Sequence, residues 1–338
     1  MNPLLRPCSR VGIDVTRRCN FVCKTCFYRW HPSFNAAHDE PIEKIVTSAR
    51  QAQARGCDHV VLVGWGEPAL WAPLPDFLRE MVRMGMSTSI ITNGSVSVHR
   101  YEEMRSAGLN HLHISVHGIG PVLDEIVGVE GAGARQGQVL SWLKKTDWPW
   151  RMNMTVQQAN YKTLPDIASM CVEHGCKHII SLGFLPHYEW NAPDKLRQVA
   201  VHPAEIKPYI QAAGQIALDA GAMFTIRYHP MCLLDEPWRK YVVNAAYVLY
   251  DPWEWDYEHH GEAPETLWRS AQGIGDTVAI KEAPCLSCGA RIHCGGWNRV
   301  YCAGFGRPTE ILHAIDIPDK TPGWYHLQNP ANLEKGIL

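Results

Sequence analysis

The sequence predicts an α/β fold built on a parallel sheet, and three observations carry that expectation. Strand-like runs alternate with helix-like ones from Val11 to Arg227, and strands separated by helices pair in parallel through right-handed crossovers. The run His59-Val60-Val61-Leu62-Val63-Gly64 is apolar without polar alternation after its first residue, as a strand covered on both faces requires. About seven strands and six helices fall before residue 230, fewer than a closed eight-fold barrel needs.

Taken in order, Val11 to Val15 is the first strand and runs into a cysteine-bearing loop. Pro41 to Arg55 is helical, with Ile42, Ile45, Val46 and Ala49 on one face, and the strand His59 to Gly64 follows. Pro75 to Met84 is a helix and Thr88 to Thr92 a strand; the helix Val98 to Ala107 ends at Gly108, a C-cap signal. His111 to Val116 is the fourth strand. Gly137 to Lys145, Met152 to Val156, Leu164 to His174, His178 to Leu182, Ala204 to Ala220 and Ala222 to Arg227 continue the alternation. Past residue 230 it stops, which divides the chain into a barrel over residues 1–230 and an extension over 231–338.

A chain of 338 residues, 46% hydrophobic, can bury one large core with an appendage. Its net charge of -2 offers no general field for nucleic acid or an anionic membrane, and no Lys/Arg stripe marks a nucleic-acid face. Met1 to Arg10 lacks the apolar core of a secretory signal, and no apolar run approaches the roughly 18 residues of a membrane helix. The expected location is cytoplasmic. Twelve cysteines in such a chain, most of them clustered, argue for metal ligation over disulfides. Cys8, Cys57, Cys171 and Cys176 are scattered and read as small buried apolar residues.

Cys19, Cys23 and Cys26 stand at spacings C-x3-C-x2-C straight after the first strand. Three thiolates on a cubic iron–sulfur cluster leave one iron open to a small molecule. A tetrahedral zinc site needs a fourth ligand, and neither His31 nor His38 stands at the offset of a compact one. The loop resembles the signature of the radical S-adenosylmethionine (radical SAM) superfamily, which lies after the first strand of a partial β/α barrel. The family places an aromatic residue before the third cysteine where this chain has Thr25; Phe27 or Tyr28 is the substitute ring. The resemblance implies a partial (β/α)6-type radical SAM barrel plus one extra strand. It also implies a [4Fe-4S] cluster, SAM bound to the open iron, and reductive cleavage of SAM to a 5′-deoxyadenosyl radical that abstracts hydrogen from substrate.

The next motifs fall at the C-terminal ends of strands, where reactive groups gather in such folds. Gly64-Trp65-Gly66-Glu67-Pro68 closes the second strand. Alone it is a turn; beside the cysteine loop it is similar to the family's G-G-E-P motif, which holds the methionine ammonium, here with Trp65 in place of a glycine. Thr92-Asn93-Gly94 ends the third strand and Ser115-Val116-His117-Gly118 the fourth. By the same resemblance Ser115 reaches the ribose or carboxylate of SAM and His117 stands where relatives carry Asp, although a His packed at a strand end is as good a reading. Thr92, Asn93, Asn153 and Asn160 are further polar candidates.

The segment Leu233 to Glu282 is dense in aromatic and acidic residues, among them Trp238, Tyr241, Trp253, Trp255, Asp256, Tyr257 and Glu258. Rings packed on the barrel are the plain reading. Trp253, Trp255 and Tyr257 also have the chemistry to stack on a substrate. Cys285, Cys288 and Cys294 then follow as C-x2-C-x5-C before Gly295-Gly296 and Tyr301, a pattern similar to the auxiliary-cluster module of the SPASM and twitch branches, with Cys232 as fourth ligand and an auxiliary [4Fe-4S] cluster implied. Spacing alone also allows a zinc ribbon. Cys302 competes, because Cys285, Cys288 and Cys302 resemble the second cluster of the molybdenum-cofactor cyclase. Cys232 and Cys285 bracket the aromatic segment, so a cluster between them would tie it down as a lid.

The substrate is expected to be a small polar metabolite such as a sugar, nucleoside or amino-acid derivative. The alternative is a ribosomally made peptide; eighteen residues precede Cys19, fewer than the winged-helix module many peptide maturases carry there. A two-cluster electron carrier or zinc scaffold is the non-enzymatic reading, for which an open-iron loop on a barrel has no use. A flavodoxin or ferredoxin is the expected reductant.

Overall fold

The computed structural model describes residues 10–26, 38–54, 56–64, 66–184, 193–243, 256–257, 279–291, 294 and 296–316. Seven parallel strands follow one another as expected: β1 (Arg10–Asp14), β2 (His59–Val63), β3 (Ser87–Thr92), β4 (His111–Ser115), β5 (Trp150–Val156), β6 (His178–Gly183) and β7 (Met223–Arg227). Each pairs with the next, so sequence order is spatial order. Two short edge strands extend the sheet from beyond residue 230. β8 (Val242–Val243) lies beside β7, and β9 (Asp256–Tyr257) beside β1. The barrel stays open, because β1 and β7 do not pair with each other.

Strand alternation sorts the sheet into two faces. Val11, Ile13, Val60, Leu62, Leu112, Ile114, Met152 and Met154 face the crossover helices and share one core with Ile45, Phe77, Leu78, Tyr101 and Leu140. The helices that supply it are α1 (Ile42–Ala54), α2 (Leu74–Met84), α3 (Val98–Ser106) and, further on, α6 (Leu164–Glu173) and α8 (Pro203–Asp219). The opposite face, which lines the barrel, buries polar groups: Arg10, His59, Ser89, His113, Arg151, His178 and Thr225.

Three helical segments depart from expectation. α4 (Pro121–Val127) is unanticipated, α5 (Ala132–Leu143) starts earlier than Gly137, and α7 (Pro193–Arg197) is extra. Gly118, Gly120, Gly128, Gly131 and Gly133 make this region read as loop. In the fold, the Asp124 carboxylate on α4 accepts from the N–H groups of Gly131 (2.7 Å) and Gly133 (2.6 Å), capping α5 from a neighbouring helix. Those bonds hold the Asp124 carboxyl below the usual range. Gly133 also abuts the Gly120 carbonyl, where a Cβ would stand 2.2 Å from the oxygen. Neither contact is local in sequence.

The buried imidazoles are expected to make the fold acid-labile. Burial pulls His111, His117 and His229 down to about 4 from the ordinary 6.5. Between those values the unfolded chain binds protons that the folded chain refuses, so stability falls as pH falls through this window. The urea midpoint, measured anaerobically, is expected to drop steeply from pH 7 to pH 5; an unchanged midpoint contradicts it. No helix among the described residues is long and apolar enough to cross a membrane.

Candidate functional site

The three-cysteine loop leaves β1 through Val15 and is clamped from both sides. Thr16 Oγ1 donates to Asp39 Oδ1 (2.6 Å), and the Arg18 guanidinium grips both oxygens of Asp39 (2.9 and 2.5 Å) and the Leu70 carbonyl (3.0 Å). On the other side Val22 N–H donates to Val127 O (2.9 Å), and Phe21 is buried among Leu123, Ile126, Val127 and Ala132, with Cys19 and Cys23 packed against them. A turn from Cys23 O to Cys26 N (3.2 Å) folds the loop back. Burial pushes the Cys19 thiol up to about 12 against the Phe21 N–H, with Glu67 and Cys26 adding to the rise.

The turn after β2 meets this loop backbone to backbone. Glu67 N–H donates to Arg18 O (2.7 Å), and a Cβ on Gly66 would stand 2.1 Å from that oxygen. The glycine is therefore required by close approach. Gly66→Ala is expected to push the cysteine loop off the sheet, destabilising the protein by about 1–3 kcal/mol and lowering iron retained per chain. Wild-type melting and iron content in that variant would contradict the clamp.

Glu67 closes this turn. Its carboxylate is buried and accepts from Ala69 N (3.0 Å), Thr92 Oγ1 (2.7 Å) and Asn93 N (2.6 Å). Burial pushes the carboxyl up to about 7 against those three donors. The group joins the ends of β2 and β3. Pro68 is buried in the short 3-10 turn that Glu67 caps, and Gly64 lies against the Gly66 carbonyl.

Thr92 is likewise committed, to Glu67 and to the Tyr101 hydroxyl (2.9 Å). Asn93 Nδ2 donates to Asn20 Oδ1 (2.8 Å), its Oδ1 accepts from Ser95 Oγ (2.7 Å), and Asn20 Nδ2 donates to Ser95 Oγ (2.8 Å). This triad ties the cysteine loop to the end of β3; Asn20 and Ser95 carry no motif that could have singled them out. Gln136, also unanticipated, is buried and donates to the carbonyls of Asn93 (2.8 Å) and Ser115 (3.0 Å), linking β3 to β4.

Ser115 and Asn153 are register partners across β4 and β5, and neither side chain makes a hydrogen bond among the described residues, so both are open to a ligand. His117 accepts from Thr155 N–H (3.3 Å) at Nδ1, and burial keeps it neutral. Asn160 is fully spent on the His117 and Thr155 carbonyls (2.9 and 3.0 Å) and on the Gln157 N–H (2.8 Å), a structural role. Phe27, Tyr28, Trp65, Trp253, Trp255 and Glu258 lie outside the described residues. Asp256 and Tyr257 form the edge strand β9. Trp238 and Tyr241 pack on Phe224 of β7, with centroids 6.1 Å from it.

The extension brings four cysteines to one cavity. Cys232, Cys285, Cys288 and Cys294 line it with Met231, Lys281, Arg291, Gly296 and His313. Burial raises the Cys232 thiol to about 11, with Cys294, Cys285 and Cys288 adding. Backbone N–H groups are aimed at the sulfurs: Gly296 (3.4 Å) and Met231 (3.5 Å) at Cys294, and Ile315 (3.4 Å) at Cys288. Such donors stabilise thiolates that carry metal charge. Cys302 lies outside this cavity, and its neighbours are Arg307, Glu282, Trp297 and Arg299. Four thiols around one cavity have the donor chemistry for an iron–sulfur cluster or for zinc. Cys232 is delivered by Tyr228, the one non-glycine with positive φ among the described residues (58°), whose carbonyl abuts Gly183 of β6; backbone held in this region clusters at functional sites.

Comparison with known proteins agrees with this geometry. The Radical SAM superfamily profile matches residues 13–171. The chain is 26% identical over 194 residues to the PqqA peptide cyclase of Methylocella silvestris, covering 56% of this chain and 51% of that protein. It is 28% identical over 177 residues to the AdoMet-dependent heme synthase of Oleidesulfovibrio alaskensis, covering 50% and 43%. The chain thus spans about half the length of the curated relatives it matches. Its fold is similar to that of Streptococcus suis SuiB bound to the precursor peptide SuiA, with a TM-score of 0.61, 15% identity, and coverage of 88% of this chain and 73% of that one.

Proposed function

Given the radical SAM domain matched over residues 13–171, we propose that this chain is a radical SAM enzyme that modifies a peptide by hydrogen abstraction at the mouth of its open barrel. The observation that carries the reading is the pairing of a three-cysteine loop with a separate four-thiol cavity, in a fold similar to SuiB over most of this chain. The peptide cyclases among the relatives favour a peptide over the small polar metabolite expected from sequence alone.

Cys19, Cys23 and Cys26 would hold a [4Fe-4S] cluster, which together with bound SAM would supply the hydrogen-abstracting radical chemistry. The chain's own part is placement. Arg18 and the Asn20–Asn93–Ser95 triad fix the loop against β2 and β3, and the turn at Gly64, Gly66, Glu67 and Pro68 would take the methionine amine. Ser115 and Asn153 offer polar groups to the rest of SAM. Cys232, Cys285, Cys288 and Cys294, which line one cavity beyond the end of β7, would hold an auxiliary cluster. The buried walls exclude water from the radical.

The test is anaerobic incubation of reconstituted protein with SAM, dithionite and either a library of deuterated synthetic peptides or a panel of nucleosides and sugars. Peptides are expected to raise 5′-deoxyadenosine and pass deuterium into it. Deuterium transfer only from the small metabolites would overturn the peptide reading and leave the superfamily assignment standing.

A further inference from the structure

Lys281 brings a charge to the four-thiol cavity, and the proposed chemistry gives it no task. It follows the short strand β10 (Ala279–Ile280), which pairs antiparallel with β11 (Trp297–Asn298). Its side chain lines the cavity together with Cys232, Cys285, Cys288 and Cys294. A lysine has a flexible stem, but this one is fixed at both ends. Its ammonium donates to the Arg291 carbonyl (2.9 Å). Its stem passes Gly296, where a Cβ would stand 3.3 Å from Lys281 Cγ and 2.7 Å from the Ile280 carbonyl oxygen. Gly296 has φ 78°, and its N–H donates to Cys294 Sγ (3.4 Å). One turn therefore sets both the lysine and a thiol.

The charges around the cavity are one-sided. Lys281 and Arg291 line it, His313 adds an imidazole, and among the described residues no carboxylate lines it. Glu282, whose charge also acts on Cys285, is bonded to Arg307 Nε (3.1 Å) and is not part of the lining. Burial raises the thiols of Cys285 and Cys294, and the Lys281 ammonium opposes the rise at both. Its field reaches two of the four sulfurs.

Four thiolates leave an iron–sulfur cluster with net negative charge, and one-electron reduction adds to it. A fixed cation beside the sulfurs favours the reduced state by Coulomb attraction, so the reduction potential rises. The backbone N–H groups on Cys288 and Cys294 act in the same direction. We propose that Lys281 sets the reduction potential of the auxiliary site: its ammonium, held on the Arg291 carbonyl, raises the potential of an iron–sulfur cluster bound by Cys232, Cys285, Cys288 and Cys294. The raised potential makes that site a readier one-electron acceptor. Lys281 is a positioning residue, acting through the sulfurs. The proposal rests on the reading of the four-thiol cavity as an iron–sulfur site.

The test is a redox titration followed by electron paramagnetic resonance on the full chain, reconstituted anaerobically, with iron and zinc counted in the same samples. A chain combining Cys19→Ala, Cys23→Ala and Cys26→Ala identifies the auxiliary signal. Lys281→Met and Lys281→Gln are expected to shift its midpoint to more negative potential, and Lys281→Arg to leave it near the wild-type value, with iron unchanged in all three. The difference between wild type and Lys281→Gln is expected to shrink as salt is raised, because Lys281 is exposed. The glutamine variant removes the charge yet keeps a donor for the Arg291 carbonyl, so it separates field from structure and decides the matter if Lys281→Met fails to fold. A wild-type midpoint in Lys281→Gln with iron retained would overturn the proposal and leave the cluster reading standing. Zinc in place of iron at this site of the unaltered protein would overturn the cluster reading, and the proposal with it.

Discussion

Replacing Cys23 with Ala abolishes 5′-deoxyadenosine formation, by at least about 100-fold, while leaving the barrel folded. Removing a group that merely orients a metal ligand costs 10–100-fold, and a three-cysteine cluster has no spare ligand to lose. Cys23 lies on the loop's half-buried side against Phe21 and Val127, outside the main core, so a smaller side chain there removes little packing. The backbone clamps at Val22, Glu67 and Arg18 do not involve its sulfur. The measurement is chromatographic quantitation of 5′-deoxyadenosine with circular dichroism of the same sample. Wild-type SAM cleavage by Cys23→Ala would sink the cluster assignment, and loss of the fold would mean the loop is a structural zinc-type clasp.

Cys294→Ala lowers iron from about eight to about four per chain, whereas Cys302→Ala leaves it at about eight, as two cubane clusters require. Cys294 lies in the cavity with Cys232, Cys285 and Cys288 and receives two backbone N–H groups; Cys302 packs with Trp297 and the arginines nearby. Substrate turnover is expected to collapse in Cys294→Ala with uncoupled SAM cleavage still measurable. Iron and zinc are read together by elemental analysis of anaerobically reconstituted protein. Loss of four irons in Cys302→Ala, with none lost in Cys294→Ala, would reverse the assignment, and stoichiometric zinc would replace the auxiliary cluster by a ribbon.

The sequence by itself determined the parallel α/β barrel and both cysteine constellations. Strand and helix periods are local, and a thiolate spacing is read directly along the chain. Val60 to Val63 reads as a buried strand because it must shed water on both faces, and it does. The hydrogen bonds of Glu67 were not legible, because its partners, Thr92 and Asn93, arrive from another strand. Asn20, Ser95 and Gln136 carry no local signal; they matter because the fold brings the ends of β1, β3 and β4 within hydrogen-bond reach. Spacing could not choose between Cys294 and Cys302, which the path of the chain around Gly296 separates. The helix α5 begins at a glycine-rich stretch because Asp124, on α4, supplies the acceptors its first N–H groups lack. Local chemistry is written in the order of residues, whereas which buried donor meets which acceptor is decided only when distant strands pack.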